Sequence, residues 1–599
     1  MTADMFEQEE FSQAERQVGT KEAFKRLVPF LLEHKKRLII SLILLAIATG
    51  LSVSWPLLLQ DALGAPLENG SVNKLIGYAI AIAIIQLVAL GLQYLMRVKL
   101  EVIGQDIMLS LKRRLFDHLL SLDVSFYDRN PVGRLMARVE SDAESLRMLF
   151  TTTVVLVVAD LLMLTGIYAI LFYTHWRLAS ILFISIPIIA LMIWQFNKRT
   201  SPRFLEVRKK MAEVTAALAE FLHGMSIVQI FHRGQWARDK VYRANRIKFK
   251  HEAFVSIGVT LFFNAVFLFE YIKIGLVLIF AAIWNIPFAT IVMFIVLIWR
   301  SFEPIFRTSE QLSVFQKAIA GTRRIFALLA EEPRLTDPVR PIAWSGLKQG
   351  VKFENVWFSY TDDDNWVLKD VSFDIPVGSR VALAGVTGGG KSTVISLLLR
   401  FYDPQKGRIT VDGIDIRDIS RAELRKRFAL VLQDIVLFPG TVSANIGLED
   451  ESVSPERIRQ AATTVEANRF ITNLQDGYDT WVSEKGANFS RGERQLLSFA
   501  RALAVDPDML ILDEATSSVD PETERTIQRS LGKIMEGRTS LIIAHRLSTI
   551  LDVDQILVMR HGQIIERGKH TELILAEGYY SKLFHLQFGR KNGVKSNVG

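Results

Sequence analysis

The stretch GVTGGGKST, residues 385–393, has the spacing G-x-x-x-x-G-K-[ST]. That spacing suits phosphate binding: glycines let backbone N–H groups converge on phosphate oxygens, and a helix beginning at the lysine adds the positive end of its dipole. Gly385, Val386, Thr387, Gly388, Gly389 and Gly390 then form an ATP cradle that continues into Thr393. Lys391 reaches the β and γ phosphates, and the Ser392 hydroxyl ligates Mg²⁺. A plain glycine turn is the alternative. The flanks oppose it, because RVALA reads as a buried strand and VISLLLRF as a helix, the context this motif requires.

Two later runs supply the chemistry that a bound triphosphate needs. MLILDEATSSVD, residues 509–520, is an apolar strand ending in Asp513, an acid placed to hold Mg²⁺ opposite Ser392. Glu514 follows, where it orients or deprotonates the attacking water. SLIIAHR is a second apolar strand, and its His545 is a candidate for contacting the γ-phosphate or positioning that water. A lone histidine after a strand is usually structural; its order behind a phosphate loop and an Asp-Glu pair favours catalysis.

The elements that position these groups form an α/β domain starting at VKFENVWFSY, and a different kind of chain precedes it. Of 599 residues, 50% are hydrophobic and none is cysteine. The first figure points to a membrane, and the second removes disulfides and thiolate chemistry. A net charge of +8 is compatible with nucleic acid, but excess Lys and Arg are expected in the cytoplasmic loops of a membrane protein. No nucleic-acid partner is expected.

Apolar runs fall near 37–59, 75–96, 149–173, 177–196, 256–283 and 287–305. Each is close to the roughly 20 residues that a helix needs to cross the hydrocarbon core. Linkers between them alternate between short and long, and the long ones are rich in Lys and Arg, so they and both termini are expected in the cytoplasm. The acidic start MTADMFEQEEFSQAERQ lacks the features of a signal peptide. Residues 21–36 read as a helix in the membrane interface. The long segments keep helical periodicity, so the spans should continue into the cytosol and turn at SFYDRNPVG and EFLHGMSIVQ, where short helices could dock on another domain. Asp160, Glu270, Lys273 and Arg300 lie in or beside the spans. Such charges either pair with one another, as Glu270 and Lys273 can at a spacing of three, or face a substrate cavity.

These features divide the chain into a tail at 1–20, a six-span helical transmembrane domain at 21–331, a Pro-rich linker at 332–348, an α/β P-loop domain at 349–588 and a tail at 589–599. With that order and those motifs, residues 21–588 resemble half-transporters of the ATP-binding cassette (ABC) exporter family, similar in layout to bacterial multidrug and lipid exporters. The resemblance implies the type I exporter fold and adds roles. Tyr360 would stack on adenine; Gln433 would contact Mg²⁺ and link the site to the membrane domain. Glu484 resembles the loop beside the intracellular helices, and Asp520 the acid that communicates between two sites. Phe489, Ser490, Arg491, Gly492 and Glu493 occupy the signature position, usually Leu-Ser-Gly-Gly-Gln, which binds the ATP held by the opposite cassette. Ser490 and Gly492 are retained, whereas Phe489, Arg491 and Glu493 depart from the usual pattern.

A second half-transporter is therefore the implied partner. An altered signature beside an intact Glu514 and His545 favours a heterodimer, and a homodimer stays open because Arg491 can point away from phosphate or contact it favourably. The expected activity is ATP-driven export or flipping of an amphipathic, drug-like or lipid-like substrate by alternating access, in contact with membrane lipids, in a bacterial inner membrane. An ATP-gated channel, or a homodimeric exporter of peptides, is the alternative.

Overall fold

The computed structural model describes residues 29, 32–361, 365–513, 521–543 and 551–588. The two terminal tails, most of the interfacial segment 21–36, and Glu514, Asp520 and His545 lie outside the described residues. The chain forms two units: Met1–Ser121 with Asn130–Glu331, and Leu122–Arg129 with Glu332–Gly599. The short segment Leu122–Arg129 thus packs with the second unit although its neighbours on both sides belong to the first.

In the first unit the apolar runs become helices α1 (Lys35–Leu63) and α2 (Val72–Ser121). The six-residue α3 (Val124–Arg129) belongs to the second unit. Then follow α4 (Val154–Phe183), α5 (Ser185–His223), α6 (Gly234–Ile283) and α7 (Phe288–Leu329). Among the described residues, four helical stretches are long and apolar enough to cross a membrane: Lys35–Leu67, Val72–Ser121, Val132–His223 and Gly234–Ile283. The third of these contains two of the apolar runs, and His175, with φ −153° and ψ 90°, interrupts the helix between them. The sixth run lies in α7.

Large apolar side chains point outward at helical spacing: Ile76, Ile80, Ile84 and Leu87 on α2 are all more than half exposed. A water-soluble bundle would bury such a stripe, so this face suits lipid. Inward-facing Leu45, Met96, Leu100 and Val155 form one of the internal clusters. Close approach of α2 to the turn before α4 depends on Gly104. A Cβ there would sit 2.1 Å from the Thr151 methyl, on a π-helical turn at Leu149–Thr153.

The second unit contains β1 (Gly350–Phe358), β2 (Leu368–Pro376), β3 (Arg380–Ala384), β4 (Lys406–Val411), β5 (Ile414–Asp415) and β6 (Phe428–Val431). After them come the short pair β7 (Gly440–Thr441) and β8 (Trp481–Val482), then β9 (Met509–Asp513), β10 (Thr539–Ile543), β11 (Gln555–Arg560) and β12 (Gln563–Gly568). An antiparallel sheet has the order β2-β1-β4-β5, and the main sheet runs β12-β11-β3-β10-β9-β6. Strands β11, β3, β10, β9 and β6 are mutually parallel. Their unbroken apolar runs follow from burial on both faces, as in RVALA, MLILD and SLII.

One carboxylate fastens the linker to this unit. Asp412 accepts hydrogen bonds from the Trp344 indole N–H at 2.9 Å and from the backbone N–H groups of Lys348, Gln349 and Gly350. Burial pushes its pKa up, but the indole and the three backbone donors outweigh that and hold it below the ordinary Asp value. The stabilisation is therefore complete above the unfolded pKa of about 3.9 and is lost as pH falls through the lower folded value. Asp412→Ala should cost about 2–3 kcal/mol at pH 7. The measurement is a thermal midpoint series against pH, in which the gap to the wild-type protein should close below about pH 4; a constant gap would refute the charge-based account.

Candidate nucleotide site and membrane cavity

The phosphate loop connects β3 to α8 (Lys391–Leu398). Gly388 and Gly390 have φ of 81° and 96°, in the left-handed region that a side chain disfavours. Gly385, at φ 144°, is restricted differently: a Cβ would lie 2.2 Å from the Met559 carbonyl oxygen of β11. Lys391 is buried, and its Nζ donates to the carbonyl oxygens of Gly385 at 3.0 Å and Val386 at 2.9 Å. Burial lowers the pKa of this ammonium while Asp513 opposes the shift. The lysine is thus folded across its own loop, within reach of any phosphate that the loop holds.

Strand register explains why distant residues meet this loop. Ile543 of β10 pairs with Leu383 of β3 on one side and with Asp513 of β9 on the other. Val431 of β6 pairs with Leu512 of β9. The carboxyl ends of β3, β10, β9 and β6 therefore share one sheet edge, where open α/β sheets bind ligands. Exposed Gln433 lies two residues beyond β6, and Ser392 is the exposed second residue of α8. The carboxylate of Asp513, the Gln433 amide oxygen and the Ser392 hydroxyl are hard oxygen donors, which suits Mg²⁺. This chemistry fits the ion; bound there, it would neutralise charge on the β and γ phosphates. Glu514 is the sequence neighbour of Asp513.

Tyr360 is 43% exposed, leaving ring surface free for a base, and its hydroxyl lies 3.1 Å from Thr393 Oγ1. The signature segment has separable parts. Ser490 caps the helix α9 (Arg491–Ala504): its hydroxyl accepts from Glu493 N–H at 3.3 Å, while the Glu493 carboxylate accepts from Ser490 N–H at 2.8 Å. Glu493 thus closes a reciprocal cap, a role that the usual glutamine can also fill, and S-x-x-E in the sequence is the signal for it. Phe489 is buried against Phe470 and serves the core. Gly492 is buried and Arg491 half-buried at the helix start, while Glu484 is exposed on a neighbouring turn.

In the first unit, Glu270 and Lys273 are buried and paired at 2.7 Å, satisfying the pairing alternative. Asp160 pairs with Arg307 at 2.6 Å, a partner the sequence reading did not include. Arg300 donates to Ser52 Oγ at 2.7 Å and lies over the Trp55 ring. Beside Arg307 is a cavity of about 700 Å³ with Thr49, Gln93, Arg97, Thr151 and Leu156 in its lining. Apolar walls with a few polar groups, at this volume, suit an amphipathic molecule of drug-like size.

Comparison with known proteins agrees with this geometry. The family "ABC transporter transmembrane region" matches residues 38–301, and the family "ABC transporter" matches 368–517. An ATP-dependent lipid A-core flippase of Syntrophus aciditrophicus is 33% identical over 96% of both chains. A probable multidrug resistance ABC transporter protein of Bacillus subtilis is 36% identical over 84% of this chain and 75% of its own length. The structure of a bacterial Atm1-family ABC exporter with ATP bound superposes with a TM-score of 0.74 at 25% identity, covering 93% of this chain and 98% of the other. With a helical membrane domain, a phosphate loop at the edge of a parallel sheet and relatives aligned through both, the chain belongs to the ABC exporters as a half-transporter whose ATPase drives export across a membrane.

Proposed function

We propose that this half-transporter exports or flips an amphipathic, lipid-like or drug-like molecule by alternating access, as one subunit of a heterodimer. The observation that carries the substrate class is the 700 Å³ cavity, apolar with Gln93, Arg97 and Arg307 at its wall. Relatives named for lipid A-core and for multidrug resistance support the same class. An exposed apolar trio on the intracellular turn, Ile227, Ile230 and Phe231, favours contact with another chain. The termini and ATPase unit are assigned to the cytoplasm on the Lys and Arg bias of the long linkers.

ATP binding at Tyr360, the phosphate loop and the Ser392–Gln433–Asp513 oxygens, completed by the partner's signature, closes two cassettes; hydrolysis assisted by Glu514 and His545 resets them. For this to move substrate, ATP must bind the two conformations with different affinity. The test is reconstitution of the dimer purified from its own membranes into vesicles with a fluorescent phospholipid or a fluorescent amphipathic dye. ATP-dependent movement against a gradient supports a pump; dissipation of a preformed gradient would make it a channel.

Arg491 separates the two kinds of dimer. In a heterodimer, Arg491→Gly should leave vanadate trapping of labelled ATP on this chain within about twofold and alter trapping on the partner. Equal change on both chains, or one chain species at twice its own mass, would establish a homodimer instead.

A further inference from the structure

The charges in the wall of the membrane cavity are not equally committed. Arg307 pairs with Asp160 at 2.6 Å and with Glu303 at 3.3 Å, so its charge is balanced inside the protein. Glu101, the one acid in the wall among the described residues, is held by Arg147 and accepts from the Gln105 amide at 3.0 Å. Arg97 differs. Among the described residues it has no carboxylate partner, although Glu101 lies one turn away on the same helix. It is exposed, lines the cavity and follows directly on the apolar run near 75–96. Gln93 and Tyr94, one turn before it on α2, line the cavity too. The guanidinium, the Gln93 amide and the Tyr94 hydroxyl can all donate hydrogen bonds, and Leu45, Leu100 and Val155 supply apolar wall beside them.

We infer that Arg97 sets the charge of the molecule this cavity accepts: an amphiphile whose head is a phosphate or carboxylate, with its tail against Leu45, Leu100 and Val155. A cation at the end of a span is costly unless water or an anion meets it. A guanidinium meets such heads through paired, charge-assisted N–H···O bonds, and the neighbouring amide and hydroxyl add donors of the same sense. A cationic head gains nothing comparable, because Arg147 already holds the acid of the wall. The inference narrows the proposed substrate class to one sign of charge, and it rests on the reading of this cavity as the substrate site.

The cysteine-free sequence permits a direct test on the full-length dimer in phosphatidylcholine vesicles. Thr49→Cys places this chain's single thiol in the cavity wall, and its reaction rate with an uncharged maleimide is followed as amphiphile is added. Dodecyl phosphate should halve that rate at a concentration at least about fivefold below that of dodecyltrimethylammonium, which has the same tail. Adding Arg97→Gln should abolish the difference, whereas Arg97→Lys, which keeps the charge, should retain it to within about threefold. Any change in bilayer surface charge is common to all these proteins, so the comparison isolates the side chain. Inorganic phosphate alone should not slow the reaction, because it has no tail to bury. Equal protection by the two amphiphiles, a preference that survives Arg97→Gln, a preference lost equally in Arg97→Lys, or protection by inorganic phosphate would each overturn the inference. Protection without regard to charge would leave the export reading standing; protection by neither amphiphile would remove the cavity as the substrate site as well.

Discussion

Glu514→Gln should bind ATP with near-normal affinity and hydrolyse it at least about 100-fold more slowly. The sequence places Glu514 directly after Asp513, the last residue of β9, at the sheet edge that also carries Gln433 and the phosphate loop. Glutamine keeps the size and the ability to orient water, but it cannot take a proton. A loss confined to kcat, with the Michaelis constant unchanged, is the sign of an interaction made only in the transition state. The measurements are ATPase activity in lipid vesicles and equilibrium binding of a fluorescent ATP. Normal turnover would remove Glu514 from catalysis; loss of binding would show that its role is electrostatic balance around the metal.

Lys391→Met should abolish hydrolysis, by at least about 1,000-fold, and weaken ATP binding as well. Among the described residues the Lys391 ammonium donates to the carbonyl oxygens of Gly385 and Val386, which uses two of its three donors and leaves one for phosphate. Methionine retains much of the volume of the buried stem. The fold should therefore lose no more than the two hydrogen bonds, about 1 kcal/mol each. Binding, turnover and thermal midpoint measured on the same preparation separate the two effects. Turnover within tenfold of the wild-type protein would contradict the assignment, and collapse of the thermal midpoint would mark the lysine as chiefly structural.

The phosphate loop, its flanking strand and helix, and the apolar runs were legible because each is a local pattern whose physics is local. Glycine conformation, buried parallel strands and membrane-length helices leave their mark within twenty or thirty residues. Pairings across the fold leave none. Arg307 was not associated with Asp160, because 147 residues separate them and no periodicity links α7 to α4. Tyr402 sits in LLLRFYDP and Asp128 in SFYDRNP; nothing in either stretch announces a hydrogen bond spanning 274 positions. The capping role of Glu493 was readable from S-x-x-E, but comparison with the usual signature drew attention to what that residue lacks rather than to what it holds.

The length of α2 has a mechanical consequence. Its 50 residues span ~75 Å at 1.5 Å per residue. Subtracting ~30 Å of hydrocarbon leaves ~45 Å of rod outside the lipid. Such a rod, pivoting by only ~5° where it leaves the bilayer, sweeps its far tip through ~4 Å, about the rise of two or three helical residues. Leverage of this kind lets a rearrangement no larger than a side chain at the far end become a change of tilt inside the membrane, without melting any helix along the way.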